Sequence, residues 1–308
     1  MPSTSNLPHR WQESPHVAQP CPLHPARRRR AAGSILAAPA GASDTPSPSA
    51  RAVTTLTGFS VSNYPPETYA AALARQSATM GTPEVIRYFY GSSPLRWPPS
   101  SGFTGTKPVV VSFNRPPVSV NKGLHDAEVR AFLAAMPRDR ITWVSYEHEM
   151  DAKVKKGHFA AADVRAAYVR FANLVTASGN PMIKKTLILT GWDYRNRMLT
   201  YYPGAAYVDT LAVDKYRWGT ETIPYLFDEA FSVAAAYGKP LGVAEFGVWS
   251  GTDAERAAYL DAAARYTAGK VQFLTYFNVN KAHIAGDHNW EIWRLPLSST
   301  AWKNATLR

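Results

Sequence analysis

The chain has 308 residues, 45% hydrophobic and 12% aromatic, with a formal net charge of +11; that is enough to bury one large core, and a barrel of this length can be a single domain. Six Lys/Arg against two acids put +4 into the first 52 residues, and the remaining +7 forms neither a stripe nor a motif of the kind nucleic-acid binding needs, so no nucleic-acid partner is expected. Cys21 is the only cysteine, which excludes an intrachain disulfide and a thiolate metal cluster, and no run of about 18 apolar residues is present to cross a bilayer, so no membrane partner is expected.

Residues 26–50, "ARRRRAAGSILAAPAGASDTPSPSA", combine a basic block, a small-residue apolar segment and an Ala40-Gly41-Ala42 sequence that resembles a signal-peptidase site. They point to export and an extracellular location. The apolar segment is short, however, and broken by Gly33, Ser34 and Pro39, so the other reading is a disordered tail. Either way, residues 1–52 are set apart from a folded domain over 53–308.

From Val53 onward, short β-branched and aromatic runs recur: "TLTGFSV" (55–61), "VIRYFY" (85–90), "PVVVSF" (108–113), "ITWVSYE" (141–147), "KTLILTG" (185–191), "VDTLAVD" (208–214), "LGVAEFG" (241–247) and "VQFLTYF" (271–277). Most are separated by segments of helical periodicity. In "HDAEVRAFLAAM", Asp126 reads as the N-cap, and Val129, Phe132, Leu133 and Met136 make one apolar face. Val164, Tyr168, Phe171, Leu174 and Val175 repeat likewise ahead of a stop at Gly179. "FDEAFSVAAAYGKP" ends on Gly238 and Pro240, and a helix capped by Asp253 stops at Gly269. "GSSPLRWPPSSGFTGTK", between the second and third runs, reads as a loop in place of a helix.

Strand and helix alternating over eight units in about 250 residues predict an α/β fold, a (β/α)8 TIM barrel. An open doubly wound sheet is the alternative, but the first run is not followed by a glycine-rich phosphate loop. In a barrel, function gathers at the C-terminal ends of the strands. Those ends are acidic here: Glu147-His148-Glu149, Trp192-Asp193-Tyr194, Asp214-Lys215-Tyr216 and Glu245-Phe246-Gly247. Glu245 lies in apolar surroundings, where a carboxylate is costly to bury, so it either pairs with a structural Arg or Lys or serves a reaction. The fourth and seventh strands are three steps apart around the ring, so their tips face each other across the mouth. Two carboxylates about 5 Å apart there fit retaining glycoside hydrolysis, with the charge of one keeping the other protonated.

"VSYEHEMD", "VDTLAVDKYRWG", "KPLGVAEFG" and the late "YFN" resemble, in order and spacing, glycoside hydrolase family 26 of clan A, best known for β-mannanases, and most closely its actinobacterial-type members with a Pro-Val-Val-x-Ser-Phe third strand. The resemblance runs from about Thr57 to Trp302. It implies Glu149 as acid/base and Glu245 as nucleophile, His148 as a sugar contact or as the orienter of Glu149, and Asp214 and Tyr216 as the strand-six pair whose tyrosine hydrogen-bonds the nucleophile. It further implies a polysaccharide or oligosaccharide substrate and no cofactor or metal.

The sequence departs from the family where a substrate-stacking tryptophan is expected after His-Glu; "MDAKVKKGHF" stands there and reads as an unusual loop. Glu147 is an additional carboxylate, and strand alternation turns it to the same side as Glu149, so a catalytic part for it stays open. Trp192, Trp218 and Trp249 each follow a strand end, placed either to stack on sugar or simply to pack over the barrel top. Arg87, central in the second run, reads as an interior ion-pair partner. The competing functions are a barrel that binds carbohydrate without cleaving it and a metal hydrolase built on Glu147, His148, Glu149 and Asp151. The latter is disfavoured because neighbouring strand residues face opposite ways. The sequence does not specify the polysaccharide, its linkage or the oligomeric state.

Overall fold

In a computed structural model, which describes residues 53–91, 93–99, 103, 106–281 and 288–307, the eight apolar runs are eight strands: β1 (Leu56–Ser60), β2 (Val85–Phe89), β3 (Val109–Phe113), β4 (Thr142–Tyr146), β5 (Ile183–Thr190), β6 (Thr210–Arg217), β7 (Leu241–Val248) and β8 (Phe273–Tyr276). All pair in parallel with their sequence neighbours, and β8 pairs with β1, closing the barrel. The expected (β/α)8 barrel is the one observed. The tail, its export segment and Cys21 lie outside the described residues.

Parallel strands covered on both faces need apolar residues in both directions, and alternation sorts them. Val109, Val111 and Phe113, Val144 and Tyr146, and Leu211 and Val213 join the shell between sheet and helices. Val85, Val110, Trp143, Ile188, Ala212, Ala244 and Phe273 point inward and fill the barrel floor. Trp143 is the largest plug, its ring centroid 4.7 Å from that of Phe273 and its Nε1 donating to Gln272. Gly242 makes room for this floor, since a Cβ there would lie 2.1 Å from the Phe273 ring. Trp143→Ala is expected to cost ~3–5 kcal/mol, because the barrel cannot collapse around the void; a urea melt checks it, and a loss below about 1 kcal/mol would contradict a rigid floor.

The outer layer comprises α1 (Tyr69–Met80), α2 (Pro117–Asn121), α3 (Asp126–Ala134), α4 (Met150–Lys155), α5 (Ala161–Ala177), α6 (Tyr194–Tyr201), α7 (Ile223–Ala236), α8 (Asp253–Thr267) and α9 (Pro296–Ala305). Among the described residues no helix lies between β2 and β3, as the Pro/Gly/Ser-rich stretch there predicts. Two caps differ from expectation. Asp126 is the first residue of α3, and its carboxylate is spent on Arg130 and Arg170. Thr252, in a capping box with Glu255, starts α8, while Asp253 reaches across to accept the backbone N–H groups of Leu297 and Ser298 at the start of α9. "MDAKVKKGHF" is not a plain loop, since its first residues form α4. No helix among the described residues is long and apolar enough to cross a membrane.

Candidate active site

Above the apolar floor the inward residues become polar: Arg87 on β2, Ser112 on β3, Ser145 on β4, Asp214 on β6, Glu245 on β7 and Thr275 on β8, all buried. Glu245 reaches this layer through an irregularity in β7. Val243 and Phe246 both belong to the outer shell although three residues apart, so Ala244 and Glu245 are both left between them. The pairing slips here against both neighbours, with Val213 opposite Val243 but Asp214 opposite Glu245. This is a β-bulge, a device that re-aims a side chain at a strand end. The Thr275 hydroxyl secures it by sharing its proton between the carbonyls of Val243 (3.2 Å) and Ala244.

The Glu245 carboxylate has two partners. Arg87 Nη2 donates to Oε1 at 3.0 Å with both side chains buried, and the Tyr216 hydroxyl donates to Oε2. Arg87 is thus the interior ion-pair partner its sequence position suggests, and what it pairs with is the strand-seven carboxylate. Its guanidinium also lies 4.0 Å from the centre of the Phe89 ring.

Across the mouth, β4 ends at Tyr146, and the next residues do not continue its alternation. Glu147 and Glu149 both adopt left-handed backbone, each with φ of 52°. The expectation that both face the same way therefore fails: Glu147 is buried beneath the turn, paired with Lys153 and accepting the Arg115 N–H at 3.2 Å, whereas Glu149 is half-buried at the mouth. Burial, followed by the negative charges of Glu245 and Asp151, raises the Glu149 carboxyl to about 8. Asp214 is held well above the usual carboxylate range by burial and by Glu245 and Glu149, and neither of its oxygens has a hydrogen-bond partner among the described residues. His148 is kept neutral by burial and by the cations Arg87, Lys153 and Lys281. Its ring lies 5.6 Å from Phe89, and its Nδ1 has no partner among the described residues. Two carboxyls primed to hold protons, and one held by a cation and a phenol, thus share one pocket mouth.

The tryptophans part company. Trp218 is 43% exposed, edge-on to Trp290 with centroids 5.3 Å apart, beside Tyr216. Trp249 is stacked flat on His288, 3.8 Å between centroids and 2° from parallel. Trp192 is directed to the outer side of the wall, its ring 3.7 Å from the Lys215 ammonium, where it lines a cavity of about 330 Å³ with Lys215, Tyr225 and Glu229. Lys215 follows the inward-facing Asp214 and so points outward; neither Glu149 nor Glu245 lines that cavity. Three residues not singled out from sequence also border the mouth: Phe89, Lys281 and Trp290. Phe89 meets Phe277, Phe277 meets Tyr216 and Tyr216 meets Trp290, with centroids 6.0, 5.7 and 4.8 Å apart, making an aromatic arc. Gly247 permits the last contact, because a Cβ there would lie 2.7 Å from Trp290 and 2.8 Å from Tyr216.

The molecule is a closed (β/α)8 barrel, a fold it shares with solved glycoside hydrolases. It is similar to a family 26 β-mannanase from Bacteroides ovatus (TM-score 0.59, 11% identity, covering 83% of this chain and 89% of that one). The catalytic domain of a family 26 endo-β-1,4-mannanase from Bacillus sp. JAMB-750 is similar too (TM-score 0.59, 13% identity, 83% and 86%). So is a family 128 endo-β-1,3-glucanase from Amycolatopsis mediterranei, in complex with laminaritriose (TM-score 0.51, 13% identity, 82% and 99%). No protein-family model and no curated protein sequence matches the chain.

Proposed function

We propose that the protein is a retaining glycoside hydrolase acting within β-linked polysaccharide, β-mannan or a related β-glycan. The observation that carries this reading is the contrast between two carboxyls at the ends of opposite strands: Glu149, inclined to keep its proton to about pH 8, and Glu245, bound by Arg87 and Tyr216. The barrel's likeness to β-mannanases and a β-1,3-glucanase supports the substrate class.

Glu245 attacks the anomeric carbon as Glu149 gives its proton to the departing glycosidic oxygen. The C–O bond breaks and a glycosyl ester of Glu245 forms. Once esterified, Glu245 no longer carries the charge that helped keep Glu149 protonated, so Glu149, having given its proton to the leaving group, stays ionised and serves as the base. It takes a proton from water, the water oxygen bonds the anomeric carbon, and the ester is released with two inversions summing to retention. His148, Asp214, Trp218 and the aromatic arc are the proposed sugar contacts. Trp249, already covered by His288, and Trp192, facing away, have weaker claims.

The test is incubation with a panel of β-mannan, β-1,4-glucan, β-1,3-glucan and xylan, with product anomers followed by NMR. A first-formed β-anomer is expected. A first-formed α-anomer would refute retention, and tight binding with no turnover would favour the non-catalytic barrel. Tyr216→Phe removes one hydrogen bond to the carboxylate and should lower kcat roughly 10- to 100-fold, the worth of a bond to a charged group, with little change in KM. An unchanged kcat would remove Tyr216 from the mechanism.

A further inference from the structure

Two left-handed residues within three positions, neither of them glycine, need something to hold them, since each costs on the order of 1 kcal/mol. The backbone is tied on both sides: Glu147 N donates to Phe113 O at 2.9 Å and Glu149 N to Ile188 O at 3.1 Å, on the strands flanking β4. The Glu147 side chain supplies the third tie. Only 1% of it is exposed, unlike a glutamate that merely ends a strand in solvent, and it is fully engaged, by the Arg115 N–H at 3.2 Å and by Lys153 on α4. Arg115 is itself clamped to Glu128 (2.6 Å) and to Ser93 O (2.9 Å). Helix α4 hangs from the same turn, Ala152 N donating to Glu149 O at 3.0 Å. Glu149 therefore sits between two points that Glu147 joins.

We propose that Glu147 is a positioning residue: by clamping Lys153 and the Arg115 backbone, it fixes the left-handed turn that presents Glu149 and keeps the Lys153 cation beside it, a role that rests on Glu149 being the acid/base. Glu149 is faced by Asp151 and Lys153 from α4, Glu245 from β7, Asp214 and Tyr216 from β6 and Lys281 beyond β8. Of these, the cations Lys153 and Lys281 favour its ionised form. Lys153, with a quarter of its side chain exposed, can swing into solvent once Glu147 lets go.

Glu147→Gln and Lys153→Met, each in the full chain, should lower kcat about tenfold with KM within twofold, as misplacement of a reacting group does. In Lys153→Met the alkaline limb of the pH profile should move upward by about half a pH unit as the cation leaves. A 13C NMR titration of the Glu149 carboxyl should shift by the same amount. Unchanged kcat, limb and titration in both variants would overturn the proposal, even where melting temperature falls. Should Glu147→Gln fail to fold, Lys153→Met, altered at its partly exposed end, decides alone. A fully active Glu149→Gln would instead remove the acid/base assignment, and the carboxyl titration would still decide whether Glu147 and Lys153 set the state of Glu149.

Discussion

Glu245→Gln should abolish hydrolysis of whichever β-glycan the wild-type protein cleaves, lowering kcat/KM about 10⁴-fold or more with the fold intact. The amide keeps one oxygen for Arg87 to donate to and turns an NH2 toward the Tyr216 hydroxyl, which can accept it, so the loss would be of the nucleophile and not of the packing. Glu245→Ala separates the two effects. It leaves the Arg87 guanidinium buried without its counter-ion, held only by the Tyr88 and Val110 carbonyls, at a cost of about 3–5 kcal/mol in a denaturant melt. It also opens a space in which added azide can attack an activated aryl β-glycoside, giving a glycosyl azide of inverted configuration. Activity of Glu245→Gln within tenfold of wild type, or the absence of any azide adduct from an active parent, would sink the nucleophile assignment.

Glu149→Gln should lower kcat/KM on polysaccharide about 10²- to 10⁴-fold, the worth of general acid–base catalysis. Aryl glycosides with good leaving groups, which need no proton, should lose much less in the first step. The pH profile carries the sharper signature. Glu149 must be protonated to act as the acid, and burial, then Glu245 and Asp151, hold it so up to about pH 8; above that kcat/KM should fall tenfold per pH unit, a limb missing from the variant. The same shift has a sign for stability. From the unperturbed value of 4.5 up to about 8, the unfolded chain gives up the Glu149 proton while the folded one retains it, so wild type loses stability as pH rises through that window. Glu149→Gln is relieved of this and should gain stability relative to wild type between pH 5 and 8. A variant with an intact alkaline limb would assign that limb to another group.

The barrel was legible because its signal is a pattern. Runs such as "VVVSF" and "LILT" are apolar on both faces, as only buried parallel strands are, and identities of 11–13% to similar barrels suffice for the same fold. Local chemistry was less legible. Asp253 and Thr252 are equally good caps in sequence, and which of them caps depends on where α9 arrives. Counting alternation up from Leu241 and Val243 would turn Glu245 toward the helices, and only the bulge at Ala244 brings it inside. Glu147 and Glu149 looked equivalent, because nothing in a glutamate announces left-handed backbone. Phe89, Lys281 and Trp290 reach the mouth by closure of the ring, which joins β2 to the segment after β8 across most of the chain. Of the two readings of Trp192, packing is favoured by its place against Lys215, whose outward turn a sequence does not display.

The flat stack of Trp249 on His288 joins the loop leaving β7 to the segment beyond β8. With centroids 3.8 Å apart and planes within 2° of parallel, each ring is the other's packing surface. Replacing either ring would therefore uncover the other, so the two segments of this wall depend on each other for cover.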